Sequence, residues 1–156
     1  MKLSKAINPH LIQFNLGGRE KRDVIERVVQ LLAENDVLIN ADKYLEDVLA
    51  REAQSTTGIG MGIAIPHAKS EGVKETCFTL VRLENEVEWE SLDDQPVRYV
   101  IMLAVPESAK KDFLKLLSQL STLLMEEDFR EGLLVAQTTH EIVDLFEKEE
   151  EKLCTF

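Results

Sequence analysis

Tyr99-Val-Ile-Met-Leu-Ala-Val105 is the longest uninterrupted apolar run in this chain of 156 residues, and its length decides the fold. A membrane-spanning helix needs ~20 apolar residues, far more than this run supplies. A short run with no polar alternation suits instead a central strand covered on both faces. Covering both faces takes elements on each side of a sheet, and the rest of the chain supplies them. Upstream, Cys77–Leu83 (CFTLVRL) is β-rich, and the acidic stretch Glu84–Asp94, with the sole tryptophan Trp89, reads as a hairpin excursion. Downstream of Pro106 the pattern turns helical. Phe113, Leu114, Leu117, Leu120, Leu123 and Leu124 recur at helical spacing, and Phe129, Leu133 and Leu134 suggest a shorter successor. Thr138-Thr-His-Glu141 is a capping box ahead of the apolar face Ile142, Val143, Leu145 and Phe146, and a charge run follows from Glu147 to Lys152.

Nearer the N-terminus, His10–Asn15 reads as a strand closed by Gly17-Gly18. Val24, Ile25, Val28, Leu31 and Leu32 predict an amphipathic helix over 19–34. Asn40 or Asp42 can cap a second helix whose buried face holds Leu45, Val48 and Leu49 and which delivers Arg51 and Glu52 near its end. Gln54–Gly62 is a polar, glycine-rich loop ahead of Ile63-Ala-Ile65-Pro66-His67. No internal repeat and no linker divides the chain. The expected fold is α/β: a single-domain sandwich over 1–156, with a central mixed β-sheet flanked by helices on both faces.

Composition narrows function by exclusion. The formal net charge of −11 argues against nucleic acid, whose affinity comes mainly from Lys and Arg neutralising phosphates. With 44% hydrophobic and 30% charged residues, the chain is globular and not disordered. Lys, Asn, His and Gln interrupt the N-terminus, so it lacks a signal peptide's apolar core. Cys77 and Cys154 form no CxxC or Cys/His cluster; a bond between them stays open, but the pattern is not that of a stapled secreted scaffold. The expected location is the cytoplasm, with no membrane insertion.

Four chemistries can be weighed against the spacing. Gly58, Gly60 and Gly62 give G-x-G-x-G, which misses both the dinucleotide fingerprint and a Walker lysine, so a tight turn needing positive φ is favoured over a nucleotide cradle. Three scattered histidines give no local metal-ligand pair, and no metal or other cofactor is expected. No G-x-S-x-G elbow supports a hydrolase triad. His67, fixed by the preceding proline at the end of an apolar segment, is placed for nucleophilic or acid–base work. On spacing alone, a partly buried histidine satisfied by backbone hydrogen bonds is the commoner outcome. His10 and His140 need no more than an exposed polar role.

Over residues 51–73, REAQSTTGIGMGIAIPHAKSEGV, the chain strongly resembles the enzyme IIA domains of the fructose–mannitol family of the bacterial sugar phosphotransferase system. The shared elements are an R-E pair, an S-T-G-I-G-type loop and G-I-A-I-P-H followed by a small residue. The likeness continues through Val87-Glu-Trp89, Gln95-Pro-Val97, Leu103–Glu107 and Leu114–Leu120, so it runs from about Lys21 to Phe146. In that family the histidine of I-P-H takes a phosphoryl group from the phosphocarrier HPr and passes it to an enzyme IIB, and onward to sugar entering through a permease. The resemblance therefore implies a phosphotransferase in which His67 is the phosphoacceptor and Arg51 the cation holding phosphoryl oxygens. Its partners would be HPr and an enzyme IIB, serving fructose-type uptake. A planar guanidinium grips two oxygens at once, as an ammonium cannot. Ser55, Thr56, Thr57, Gly58 and Gly60 are expected to add hydroxyl and backbone donors.

One position departs from the family. Many members carry a second histidine at the start of the H-L-x-x-L-S-Q-L helix, where this chain has Phe113. Either Phe113 packs while Arg51 and the loop suffice for the phosphate, or the domain is a regulatory relative. The first account is favoured by the Arg51–His67 pair, and Asp112 is then expected to point away from the site. The rival reading is a module resembling nitrogen-linked IIA paralogues, which report phosphorylation state to kinases, transporters or transcription regulators. Lys69 and Lys74 are expected to join Arg51 in supplying local positive charge, and Met61, Ile63 and Ile65 to offer apolar contact to partners. The length is expected to hold one IIA domain, leaving IIB and permease functions to other chains.

Overall fold

The structure, a computed structural model, describes residues 3–154, with the side chains at 4 and 151–154 outside that description. The chain runs α1 (Leu3–Ala6), β1 (Ile7–Leu16), α2 (Lys21–Glu34), α3 (Ala41–Gln54), β2 (Gly58–Gly60), β3 (Ile63–Ala64), β4 (His67–Ser70), β5 (Cys77–Val87), β6 (Val97–Pro106), α4 (Lys110–Leu124), α5 (Glu127–Val135) and α6 (Thr139–Cys154). The sheet order is β1-β5-β6-β3-β2, with β4 also paired to β6. β1 is parallel to β5, β5 antiparallel to β6, and β3 and β4 both parallel to β6, so the sheet is mixed.

The run at 99–105 is the middle of β6, and its alternation sorts it into two cores. Val100, Met102 and Ala104 pack with Val24, Ile25 and Val28 of α2 and Val48 of α3. Tyr99, Ile101, Leu103 and Val105 pack with Leu116 and Leu120 of α4, Phe129 of α5 and Phe146 of α6. A fully buried apolar side chain is worth about 1.5–3 kcal/mol, so removing either helix layer strands several such residues. The expected α/β sandwich with helices on both faces is the observed architecture.

Details differ from expectation where contacts are distant in sequence. Residues 54–62 are not all loop, since Gly58–Gly60 forms β2 and pairs antiparallel with β3. The buried row of α4 is Leu116, Leu120, Leu123 and Leu124, and Leu114 is 58% exposed. Leu134, expected in the core, is 47% exposed. On α3 the buried positions are Tyr44, Val48 and Glu52, with Leu45 and Leu49 only half-buried. Ile63 and Ile65 are buried in the second core and offer nothing to a partner; of the three apolar residues expected there, Met61 alone is exposed.

The expected caps form. The Asn40 side chain accepts from the Lys43 N–H, and the Thr138 hydroxyl accepts from the Glu141 N–H. Cys77 is buried with its thiol free, and burial, helped by Glu75, pushes its pKa up to about 12. The side chain of Cys154 lies outside the described residues. No helix among them is long and apolar enough to cross a membrane.

Candidate functional site

Proline dictates the local geometry of the site. β3 pairs with Tyr99 and Val100 of β6, whereas β4 pairs with Leu103–Pro106, so the strand beside β6 is interrupted at Ile65-Pro66. Pro66 has no N–H to contribute, but its carbonyl accepts from the Leu103 N–H at 3.0 Å. The Ile65 N–H turns away to the Thr57 carbonyl at 3.0 Å, which leaves the Ile65 carbonyl free to meet an imidazole. His67 Nδ1 lies 2.7 Å from that oxygen. A carbonyl can only accept, so Nδ1 carries the proton and Nε2 presents its lone pair. His67 is thus the first residue of a strand, rather than the last of one.

Strand alternation aims the neighbours. His67 and Lys69 are half-buried on one face of β4, while Ala68 and Ser70 are buried on the other. His67, Lys69, Arg51 of α3 and Phe113 of α4 line one cavity of about 550 Å³ at the sheet edge. The Phe113 ring lies 5.5 Å from the His67 ring, and the Lys69 Nζ sits 5.7 Å from the Phe113 ring centre. Arg51 Nη1 donates to the Ser55 carbonyl at 2.8 Å, which fixes the guanidinium and leaves its other donors for a ligand.

Two contacts hold α3, and with it Arg51, against the strand that carries His67. The buried Tyr44 hydroxyl donates to the Leu103 carbonyl at 2.9 Å, on the β6 residue paired with His67. At the other end, the N–H groups of Ile39 and Asn40 donate to the Gly72 carbonyl at 2.7 and 3.1 Å. A Cβ at position 72 would stand 2.4 Å from the Asn40 carbonyl oxygen, so only glycine permits this approach.

Electrostatics favour a neutral nucleophile. Burial lowers the His67 pKa below its ordinary value of 6.5, against the raising effect of the Ile65 hydrogen bond, and the Arg51 charge lowers it further while Glu52 raises it. Lys43 and Asp47, also lining the cavity, pair with each other at 3.1 Å. Glu71 and Glu107 line it as exposed carboxylates. Asp112 does not line the cavity; it belongs to a separate surface with Ser108, Lys110 and Leu114. No group of three His, Cys, Asp or Glu among the described residues could hold a metal ion.

The glycine-rich loop lies elsewhere than expected. None of Ser55, Thr56, Thr57, Gly58 and Gly60 lines the cavity. The Thr57 hydroxyl donates to Glu52 Oε1, the Thr56 hydroxyl donates to the Trp89 carbonyl at 3.0 Å, and a Cβ on Gly58 would stand 2.4 Å from Ser91 Oγ. The loop is fastened to 89–93, and it reaches the site through Ser55, whose carbonyl and hydroxyl accept from Arg51 Nη1 at 2.8 and 3.4 Å. Lys74 is also outside the cavity, 3.7 Å from Asp36. Glu52 was missed as a buried hub, because a Glu in an exposed-looking helix position carries no sequence signal of its distant partners. Lys69, expected to add local charge, does line the cavity, two residues along the strand from His67.

Residues 5–149 match the family described as "Phosphoenolpyruvate-dependent sugar phosphotransferase system, EIIA 2". The chain belongs to this EIIA family. Among its relatives is the "PTS system fructose-specific EIIABC component" of Bacillus subtilis, 42% identical over 145 residues, which are 93% of this chain and 23% of that protein. The "PTS system fructose-specific EIIA component" of Haloferax volcanii is 35% identical, covering 80% of this chain and 81% of its own. The "Nitrogen regulatory protein" of Pseudomonas aeruginosa is 31% identical, covering 93% and 94%. In three dimensions the chain superposes on the crystal structure of the nitrogen regulatory protein IIA-Ntr from Neisseria meningitidis with a TM-score of 0.83, at 27% identity over 92% of this chain and 97% of the other. EIIA domains transfer phosphoryl groups, so this chain is a phosphotransferase of that system.

Proposed function

We propose that His67 Nε2 is the phosphoacceptor of this EIIA domain, that phospho-HPr is the donor, and that an enzyme IIB of fructose type is the next acceptor, all in the cytoplasm. The observation that carries this is the Nδ1 contact to the Ile65 carbonyl, which fixes the tautomer with Nε2 open to a cavity holding Arg51. The Nε2 lone pair forms a bond to phosphorus while the donor's P–N bond breaks, and its electron pair returns to the donor nitrogen. The imidazole acquires positive charge as the bond forms, and the Ile65 carbonyl stabilises it from the Nδ1 side. Such transfer needs in-line positioning and charge stabilisation more than covalent machinery. Arg51, already held by Ser55, directs its free donors to the phosphoryl oxygens.

The fructose assignment is supported by the Bacillus and Haloferax relatives, whose names specify that sugar. The partner assignment draws on the E. coli complex of a mannitol enzyme IIA with its phosphorylated enzyme IIB, which shares this fold with a TM-score of 0.76. Incubation with enzyme I, HPr and radiolabelled phosphoenolpyruvate tests the reading. The expected product is an acid-labile, alkali-stable label that disappears in His67→Gln; an unlabelled wild type refutes it.

One observation favours a second, regulatory reading: the Pseudomonas nitrogen regulatory protein is matched over 94% of its length. Affinity capture with the phosphorylated and unphosphorylated chain separates the two. Recovery of an enzyme IIB supports transport, and recovery of a sensor kinase or ion transporter supports regulation.

A further inference from the structure

Lys69 stands out among the cavity's cations because it has no ion-pair or hydrogen-bond partner among the described residues, although the exposed Glu71 and Glu107 line the same cavity. Lys43 has Asp47 at 3.1 Å, and Arg51 has the Ser55 carbonyl. Lys69 has only the face of the Phe113 ring, 5.7 Å from Nζ, and that ring is also 5.5 Å from His67. An aromatic face attracts a cation without cancelling its charge, so the ammonium is steered and remains available. Its backbone position adds to this. Lys69 follows His67 by two residues on the same strand, so both side chains leave the same face of β4 toward the same cavity.

We propose that Lys69 is a second phosphoryl-binding residue, delivering its ammonium to the oxygens of the group on His67 Nε2 alongside the Arg51 guanidinium, with the Phe113 ring as its rest position. The inference rests on His67 being the phosphoacceptor. It assigns the two cations different work. Arg51 is anchored and sets the geometry through its fork, whereas Lys69 swings on a flexible stem and follows the charge as it moves from donor to acceptor. Phe113 has no donor or acceptor of its own, so it cannot bind phosphate directly. It packs against the second core and offers the Lys69 ammonium a ring face.

Single-turnover transfer from phospho-HPr, measured over a range of donor concentrations, tests this with Lys69→Met and Lys69→Arg. Met retains the apolar stem but loses the charge, and its expected effect is a drop of about 100-fold in the limiting rate with little change in the half-saturating donor concentration, as for loss of a transition-state donor. Lys69→Arg is expected to recover at least tenfold of that loss. Phosphohistidine in Lys69→Met is also expected to transfer back to HPr more slowly, because the same oxygens are bound in both directions. Equal rates for Lys69→Met and wild type overturn the inference while leaving His67 as acceptor. So does an effect confined to the half-saturating concentration, which marks a partner-docking lysine, or an Arg variant no faster than Met. A wild type that takes no label overturns the phosphoacceptor reading, and this inference with it. Circular dichroism melts of each variant within about 2 °C of wild type verify the fold, as expected for a half-exposed side chain.

Discussion

Arg51 and Glu52 are adjacent on α3, yet they serve opposite environments. Glu52 faces inward, where its carboxylate accepts from the Thr57 N–H at 2.8 Å, the Thr57 hydroxyl and Trp89 Nε1 at 3.3 Å, and lies 3.3 Å from Lys21 Nζ. Arg51 faces outward into a cavity with a single backbone partner and several donors to spare. The Glu52 cluster is closed: each strong polar group is answered, so it fixes the end of α3 and the following loop. The His67 cavity is open: of its lining cations only Lys43 is ion-paired among the described residues, and Arg51 and Lys69 keep donors for a ligand beside the exposed Glu71 and Glu107. Full satisfaction marks a polar cluster that supports, and incomplete satisfaction marks one that acts.

Substituting these neighbours separates the two roles most sharply. Glu52→Ala leaves buried donors from Thr57 and Trp89 unanswered and strands Lys21, and is expected to cost about 3–5 kcal/mol, or roughly 10 °C in melting temperature. Arg51→Ala is expected to change stability by less than about 1 kcal/mol while slowing phosphoryl transfer about 100-fold. Thermal melts and single-turnover rates on both variants check this. If Arg51→Ala unfolds the domain, or Glu52→Ala leaves its melt unchanged, the division fails.

Tyr44→Phe is a milder probe, since Tyr44 is fully buried and donates its proton to Leu103. Removing the hydroxyl leaves that carbonyl short of a partner and is expected to cost about 1–2 kcal/mol by chemical denaturation. Transfer should slow as well, because α3 is thereby loosened from the strand pair that carries His67. An unaltered denaturation midpoint would show that this hydrogen bond contributes nothing.

The smallest effect concerns pH. Burial holds the His67 pKa below 6.5, so the folded protein favours neutral imidazole. Its contribution to stability is present above the unfolded value of about 6.5 and is lost as pH falls through the lowered folded value. Nuclear magnetic resonance should place the His67 midpoint below 6.5. A midpoint at or above 6.5 would mean that the cavity is wetter than its geometry implies.

Legibility from sequence followed the range of the interactions. The unbroken apolar run at 99–105, the helical repeat at 24–32 and the Thr138–Glu141 box are local, and each gave the element observed. The two-residue step from His67 to Lys69 was equally local. What sequence could not show depends on partners far along the chain: Trp89 meets Glu52 across 37 residues, and Gly58 meets Ser91. The loop of 55–60 therefore looked like a phosphate cradle, while the Thr56 hydroxyl was already claimed by Trp89 and the Thr57 hydroxyl by Glu52. Leu114 and Leu116 fit a helical apolar stripe equally well, and only the position of the sheet chose between them.

The meeting of Gly72 with the start of α3 has a mechanical consequence. Arg51 lies ten residues beyond Ala41, which at 1.5 Å per residue puts it about 15 Å along the helix axis from that pivot. A helix is stiff, so any side chain wedged under its first turn would act as a lever, and a tilt too small to notice at Gly72 would swing the guanidinium off its mark. The fulcrum is remote from the chemistry and yet sets its tolerance: a buried turn, by lacking a side chain, keeps guanidinium and imidazole in register.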